Sequence, residues 1–144
     1  LSINKLVRFK QFLENKKAVR YSAVVLDSGS HQALLELPEV ANLLTDQHEI
    51  VAHHMTIKMG SLKGTQYEST LGDAQCLTAT HIGSLGEGVV IAVKVDGATD
   101  NKTPHVTIAV DRSRGGKPVM SNQIVNWTPL SNPLKLYGTV QELL

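Results

Sequence analysis

The sequence predicts an α+β domain in which strands dominate and helices are few, and three observations carry that expectation. Segments that alternate apolar with polar residues, or run apolar over the length of a strand, recur along the chain. Two of them, residues 73–82 and 89–96, flank Gly83-Ser84-Leu85-Gly86-Glu87-Gly88, which reads as a hairpin with a flexible turn. Helical stretches are few: residues 3–19, a stretch starting at Ser30, and a short one over 121–127.

Residues 3–19 form the first predicted element, an amphipathic helix with Ile3, Leu6, Val7 and Leu13 on one stripe and Ser2 or Asn4 as its N-cap. Lys5, Arg8, Lys10, Lys16, Lys17 and Arg20 stand here against one acid, Glu14. Such a basic stretch is a solvated helix face, a place for a polyanion, or the remains of a link to a preceding domain. Tyr21-Ser22-Ala23-Val24-Val25-Leu26 is β-branched and apolar, a first, largely buried strand. Asp27-Ser28-Gly29-Ser30 breaks it, and Ser30 is expected to cap a helix through Leu34, Leu35 and Leu37. Pro38 interrupts that helix before a second short turn through Leu43 and Leu44.

Residues 49–59 are the next strand, and the strand, helix, strand order suggests a crossover unit with the helix packed on the sheet. Residues 60–67 lack apolar periodicity and hold two glycines, Gly60 and Gly64, which makes them a loop; Lys63 and Tyr67 are its candidate substrate contacts. The hairpin strands 73–82 and 89–96 follow, then a loop at 97–102 and a strand started by Pro104, where a missing amide donor is tolerated. Past that strand come Asp111-Arg112-Ser113-Arg114-Gly115-Gly116-Lys117-Pro118. Glycines that let backbone approach closely, beside Arg112, Arg114 and Lys117, suit a phosphate or the edge of a base. The segment is not a Walker loop, because Gly-Lys-Ser/Thr does not follow four free positions. Residues 121–127 suggest a short helix, Trp127 serves core packing or base stacking, and residues 134–140 are the last strand.

Length and composition bound the function. At 144 residues the chain is expected to be one domain, 1–144, burying roughly two thirds of the surface its unfolded form exposes. A net charge of +1 gives no global field that would imply nucleic acid by itself, so only local basic patches can do so. The single cysteine, Cys76, excludes an internal disulfide and a cysteine-cluster zinc site. No apolar run approaches the roughly 18 residues of a membrane-crossing helix, and no membrane partner is expected. The location expected is intracellular, cytoplasmic or nuclear. Leu1 in place of Met suggests a processed chain or a domain cut from a longer one.

Two short phrases carry the chemistry: His54-Met55-Thr56-Ile57 and His105-Val106-Thr107-Ile108. Side chains alternate across a strand, so His54 and Thr56 share one face and Met55 and Ile57 the other; the same holds for His105 with Thr107. One such phrase is commonplace, whereas two on strand-like segments, brought side by side, would line a groove with two imidazoles and two hydroxyls. Hydrolysis of a cyclic phosphate needs a base for the attacking water and an acid for the departing ribose oxygen, and imidazole performs either task near neutrality. The threonines would donate to the non-bridging oxygens, and no metal or other cofactor is called for.

The paired phrases resemble the signature of the 2H phosphoesterase superfamily, which includes bacterial RNA ligase-like cyclic phosphodiesterases, the phosphodiesterase domain of fungal and plant tRNA ligases, and phage enzymes that degrade cyclic oligonucleotide signals. The resemblance implies a bilobal fold, two antiparallel-rich sheet halves around a central groove with one phrase from each, the second lobe here reduced to strands. It also implies that His54 and His105 are the catalytic pair and Thr56 and Thr107 the phosphate-binding hydroxyls. The activity implied is metal-independent hydrolysis of RNA ends bearing a 2′,3′-cyclic phosphate, or of related cyclic nucleotides, within a larger RNA-repair protein.

Of the other histidines, His53 is expected on the opposite face of its strand, His81 is a lesser candidate for the groove, and His31 and His48 are expected at the surface. No carboxylate stands at ligand spacing from them, which makes a metal hydrolase a minor alternative. The competing class is a catalytically inactive RNA- or nucleotide-binding module on the same fold, resting on Arg112, Arg114 and Lys117. An interaction domain whose histidines merely pack is the third.

Overall fold

The computed structural model describes residues 19–144, so the basic helix expected over 3–19 falls almost wholly outside the described residues. Strand β1, Tyr21–Leu26, has the bounds its β-branched run suggests. Helix α1 spans Ser28–Glu36 and is capped by Asp27, one turn earlier than expected: its carboxylate accepts the Ser30 amide at 2.7 Å. Ser30 lies within the helix, and its hydroxyl accepts the amide of Tyr137 at 2.7 Å. Pro38 opens a second helix, α2 (Pro38–Ala41), since a residue without an amide fits the first turn. Leu43 and Leu44 lie beyond that helix.

The remaining strands are β2 (Glu49–Ile50), β3 (His54–Met59), β4 (Ala74–Leu85), β5 (Val90–Val95), β6 (His105–Val110) and β7 (Trp127–Leu143). All belong to one sheet. Every pairing is antiparallel, and the order β6-β3-β1-β7-β4-β5 returns to β6, so six strands close a barrel with β2 added to β6. Closure pairs the strand edges that an open sheet would leave exposed. The fold is thus α+β, antiparallel and poor in helix, with its strands joined in a single sheet around the barrel. The expected crossover is absent, because β1 and β3 are antiparallel neighbours and the helices between them need no parallel return.

Val24, Met55, Ile57, Leu77, Ile91, Val93, Val106, Ile108, Leu136 and Val140 belong to the main core, to which the helices add Leu34 and Val40. A second cluster, Val90, Ala92, Val110 and Ile124 with Trp127 against it, covers the other face of β5 and the end of β6. Apolar contacts on both faces explain why β5 reads as an almost unbroken apolar run. They also assign Trp127 to packing.

Three boundaries differ from expectation. Gly83, Ser84 and Leu85 continue β4 opposite Ala92, Ile91 and Val90, because a Cβ at Gly83 would stand 2.6 Å from Ile124 and 2.7 Å from the Trp127 ring. Gly83 therefore permits close packing instead of a turn, and the turn is left to residues 86–89. Strand β7 begins at Trp127 rather than at 134 and carries Pro129 and Pro133. Between Pro129 opposite His81 and Leu134 opposite Ala79 the register shifts, which accommodates the prolines. The helix expected over 121–127 is a 3-10 segment at Pro118–Gln123.

Gly138 pairs with Leu26, and a Cβ on it would collide with the carbonyl oxygen of Val25, a backbone atom that cannot swing aside. Gly138→Ala is therefore expected to lower unfolding free energy by ~1–3 kcal/mol in urea titrations. A midpoint equal to that of the unsubstituted chain would show that β1 and β7 can part at no cost.

Candidate active site

Met55 of β3 faces Val106 of β6, and this is the one rung those two strands share. Both side chains are fully buried in the core. Alternation therefore turns His54, Thr56, His105 and Thr107 outward, onto the outer face of the barrel. Because the strands run oppositely, His54 lies toward Thr107 and Thr56 toward His105, so the two phrases meet head to tail. All four residues line one groove of about 610 Å³, within the size range of small-molecule sites.

Two local departures from regular pairing open the groove. On one side of the rung the Ala52 amide donates to the Thr107 carbonyl at 2.9 Å, so β3 advances three residues, 52 to 55, while β6 advances one. Ala52 takes a φ of 41°, uncommon for a residue with a Cβ. The His31 imidazole donates Nδ1–H to the Ala52 carbonyl at 2.9 Å and so braces this kink. On the other side β3 leaves β6, and the loop that follows β5 takes over its carbonyls: Thr99 Oγ1 donates to Thr56 at 2.7 Å and the Asp100 amide to Ile57 at 2.7 Å. Asn101 of that loop lines the groove.

The kink overturns the expectation for His53. It does not face away but lines the groove beside His54, their Nδ1 atoms 2.9 Å apart and the rings nearly perpendicular. No residue type in the sequence announces a left-handed alanine, so strict alternation misplaces this side chain. Tyr21 lies against His54 with ring centroids 4.8 Å apart. Burial, then the positive charges of His53 and His105, hold His54 down to a pKa of about 4, so it is neutral at pH 7.

His105 is nearly buried, and its Nδ1–H donates to the Thr103 carbonyl at 2.9 Å. A carbonyl only accepts, so Nδ1 keeps its proton and Nε2 is the nitrogen available for proton transfer. Thr107 shares a 2.7 Å hydrogen bond with Ser121, from the 3-10 segment that covers β6. If Ser121 donates, the Thr107 proton faces the Pro118 carbonyl at 3.4 Å, a long contact that an anion in the groove can displace. Ser121, Asn122 and Glu49 were not singled out by the sequence, whose polar residues at those positions look like any others. Met59 and Val119 form exposed apolar parts of the groove lining.

Of the predicted basic contacts, Arg112 lines the groove, where its guanidinium pairs with Glu49. Arg114 does not reach it: its Nε–H donates to Asp111 at 2.7 Å, and Nη1 reaches the Glu87 carbonyl at 3.3 Å, bracing the β4–β5 turn. The Ser113 hydroxyl, then Arg114, hold the Asp111 carboxyl down to about 2. Lys117 precedes the covering segment and is not among the lining residues. Lys63 is exposed in the loop after β3 and also lies off the groove. Tyr67 packs against the core and donates its hydroxyl to Asp100 at 3.1 Å, which positions the Asn101 loop instead of touching the groove. His81 bonds Thr80 at 2.8 Å and is likewise absent from the lining. His31 and His48 are half-buried rather than free at the surface; His48 bonds the Gly88 carbonyl through Nε2 at 2.6 Å.

Among the described residues no three His, Cys, Asp or Glu side chains are grouped to hold a metal ion, and no helix is long and apolar enough to cross a membrane. Compared with models of known protein families and with curated protein sequences, the chain has no significant match.

His54 binds its proton more weakly in the folded chain, about 4 against 6.5, so unfolding takes up a proton between those values. The contribution of this group to stability is therefore fully present above pH 6.5 and falls as the pH drops toward 4, by about 3 kcal/mol. The difference between pH 7 and pH 4.5 in urea unfolding should shrink in His54→Gln; an undiminished difference would mean that His54 ionises freely.

Proposed function

We propose that the chain is a metal-independent cyclic phosphodiesterase of 2H phosphoesterase type, acting on RNA ends with a 2′,3′-cyclic phosphate or on related cyclic nucleotides. The observation that carries this reading is the head-to-tail meeting of the two His-x-Thr phrases about the Met55–Val106 rung, at one groove. This reading takes the regions of the barrel on either side of that rung as the two sheet halves of the implied bilobal plan. A neutral His54 suits the base, and His105, when its Nε2 is protonated, suits the acid.

In this mechanism a water attacks phosphorus as His54 Nε2 takes its proton. The bond from phosphorus to one ribose oxygen breaks, and His105 Nε2–H protonates that oxygen. The product is a phosphomonoester, with His54 charged and His105 neutral; exchange of one proton with solvent restores both. Thr56 and Thr107 donate to the non-bridging oxygens, where preorganised donors act most strongly in the transition state. Arg112 and Arg20 at the same groove favour an anion. The setting proposed is a domain of an intracellular RNA-repair protein.

The commitment of Arg112 to Glu49 and of Thr107 to Ser121 favours a second reading, an RNA- or nucleotide-binding module that does not turn over. The two are separated by assay. With 2′,3′-cyclic nucleotides and excess EDTA, His54→Ala and His105→Ala are each expected to reduce kcat by ~10²–10⁴, and Thr56→Val by ~10–10². Full rates in both histidine variants would end the catalytic reading. Saturable, salt-sensitive binding with no turnover would support the module instead.

A further inference from the structure

His53 and His54 touch through their Nδ1 atoms at 2.9 Å, a hydrogen bond in which one nitrogen must carry the proton and the other the lone pair. His54 has only one further ring nitrogen, Nε2, and whether that nitrogen is a base or a donor is decided by which partner supplies the shared proton. We propose that His53 is a positioning residue whose own charge selects the tautomer of His54, and thereby switches its Nε2 between proton acceptor and proton donor.

The proton count leaves little freedom. A neutral His53 can keep its proton on Nε2 and accept at Nδ1; His54 then donates from Nδ1 and its Nε2 holds a lone pair. A charged His53 carries hydrogens on both nitrogens, so His54 Nδ1 must accept. The single proton of neutral His54 then sits on Nε2, which can no longer take a proton from water. His53 is exposed to solvent, while His54 is partly buried and held down to a pKa of about 4. The arrangement exists because the Ala52 kink, braced by His31, turns both imidazoles to one side.

The ionisable groups around the pair are His105 from β6, Tyr21 from β1 with Arg20 before it, Glu49 from β2, and Arg112 after β6; all line the groove. Arg20, Arg112 and charged His105 oppose a charge on His53, and Glu49 favours one. His53 is the exposed imidazole in direct hydrogen bond with His54, so its charge is the one that reverses the shared proton.

The test is nitrogen NMR of the full chain with labelled imidazoles, titrated through the ionisation of His53. His54 Nε2 should be unprotonated while His53 is neutral and become Nε2–H with the same midpoint; in His53→Ala no tautomer change should accompany that pH range. A His54 tautomer that stays constant in the wild type, or changes identically in His53→Ala, overturns the proposal. The kinetic arm rests on the reading of His54 as base. One pH unit below the His53 midpoint the wild type should retain about a tenth of its plateau kcat/KM, while His53→Asn, which offers an amide that does not titrate, should retain about ten-fold more of its own plateau. Equal acid limbs in the two proteins overturn the proposal and leave the phosphodiesterase reading standing. Coupled tautomers in a chain that hydrolyses nothing uphold the proposal and end that reading.

Discussion

The groove depends on the backbone contact between β3 and β6, reduced to the Met55–Val106 rung by a kink on one side and a splay on the other. Were the pairing regular, β3 would continue along β6 and the loop carrying Asn101 would have no edge to occupy. Were there no rung at all, the two histidine segments would be tied only through β2 and the Val51 and Ala52 amides on β6, and the Met55–Val106 contact that aims their neighbours outward would be lost. The buried pair inside the barrel fixes the outward direction of their neighbours, because successive side chains of a strand cannot choose the same face. Core packing and the placement of the polar groups are thus consequences of one register.

Pairing irregularities recur where the groove is built. Between Ile91 opposite Ala109 and Ala92 opposite Thr107, β6 carries an extra residue immediately past Thr107, so Ala109 joins the main core while Val110 joins the second cluster. A similar shift between Ser22 and Ala23 lies opposite the residues following Thr56. Each extra residue bends its strand and re-aims the side chains beyond it. The 3-10 segment at Pro118–Gln123 then lies across β5 and β6, contributing Pro118, Val119 and Asn122 to the groove lining, the buried Ser121 as a hydrogen-bond partner of Thr107, and the neighbouring Ile124 to the apolar contacts beneath.

The electrostatics follow from this enclosure. Three imidazoles share the groove, and one partly buried among them cannot readily gain a charge while its neighbours carry theirs. Backbone carbonyls set the remaining ring: Thr103 commits one nitrogen of His105, leaving the other for chemistry. Cations expected to gather at a phosphate divide instead between two tasks. Arg112 stays at the groove in a pair with Glu49, whereas Arg114 is spent on the turn between β4 and β5, where Asp111 and two carbonyls offer it partners.

Local pattern in the sequence determined the strand bounds at Tyr21–Leu26, the strand character of both His-x-Thr phrases and the inward turn of Met55, Ile57 and Val106, because a two-residue period and β-branched side chains report directly on which face is buried. It could also name the four outward groups. Tertiary structure alone decided that six strands close into a barrel, that Gly83 packs against Trp127 instead of turning, and that β7 runs on through two prolines. It alone brought His53 into the groove and took Arg114, Lys63 and Tyr67 out of it. Those outcomes rest on register shifts, a left-handed alanine and contacts between residues far apart in the chain. No alternation of residue types encodes them, since they arise only when two strands must fit each other.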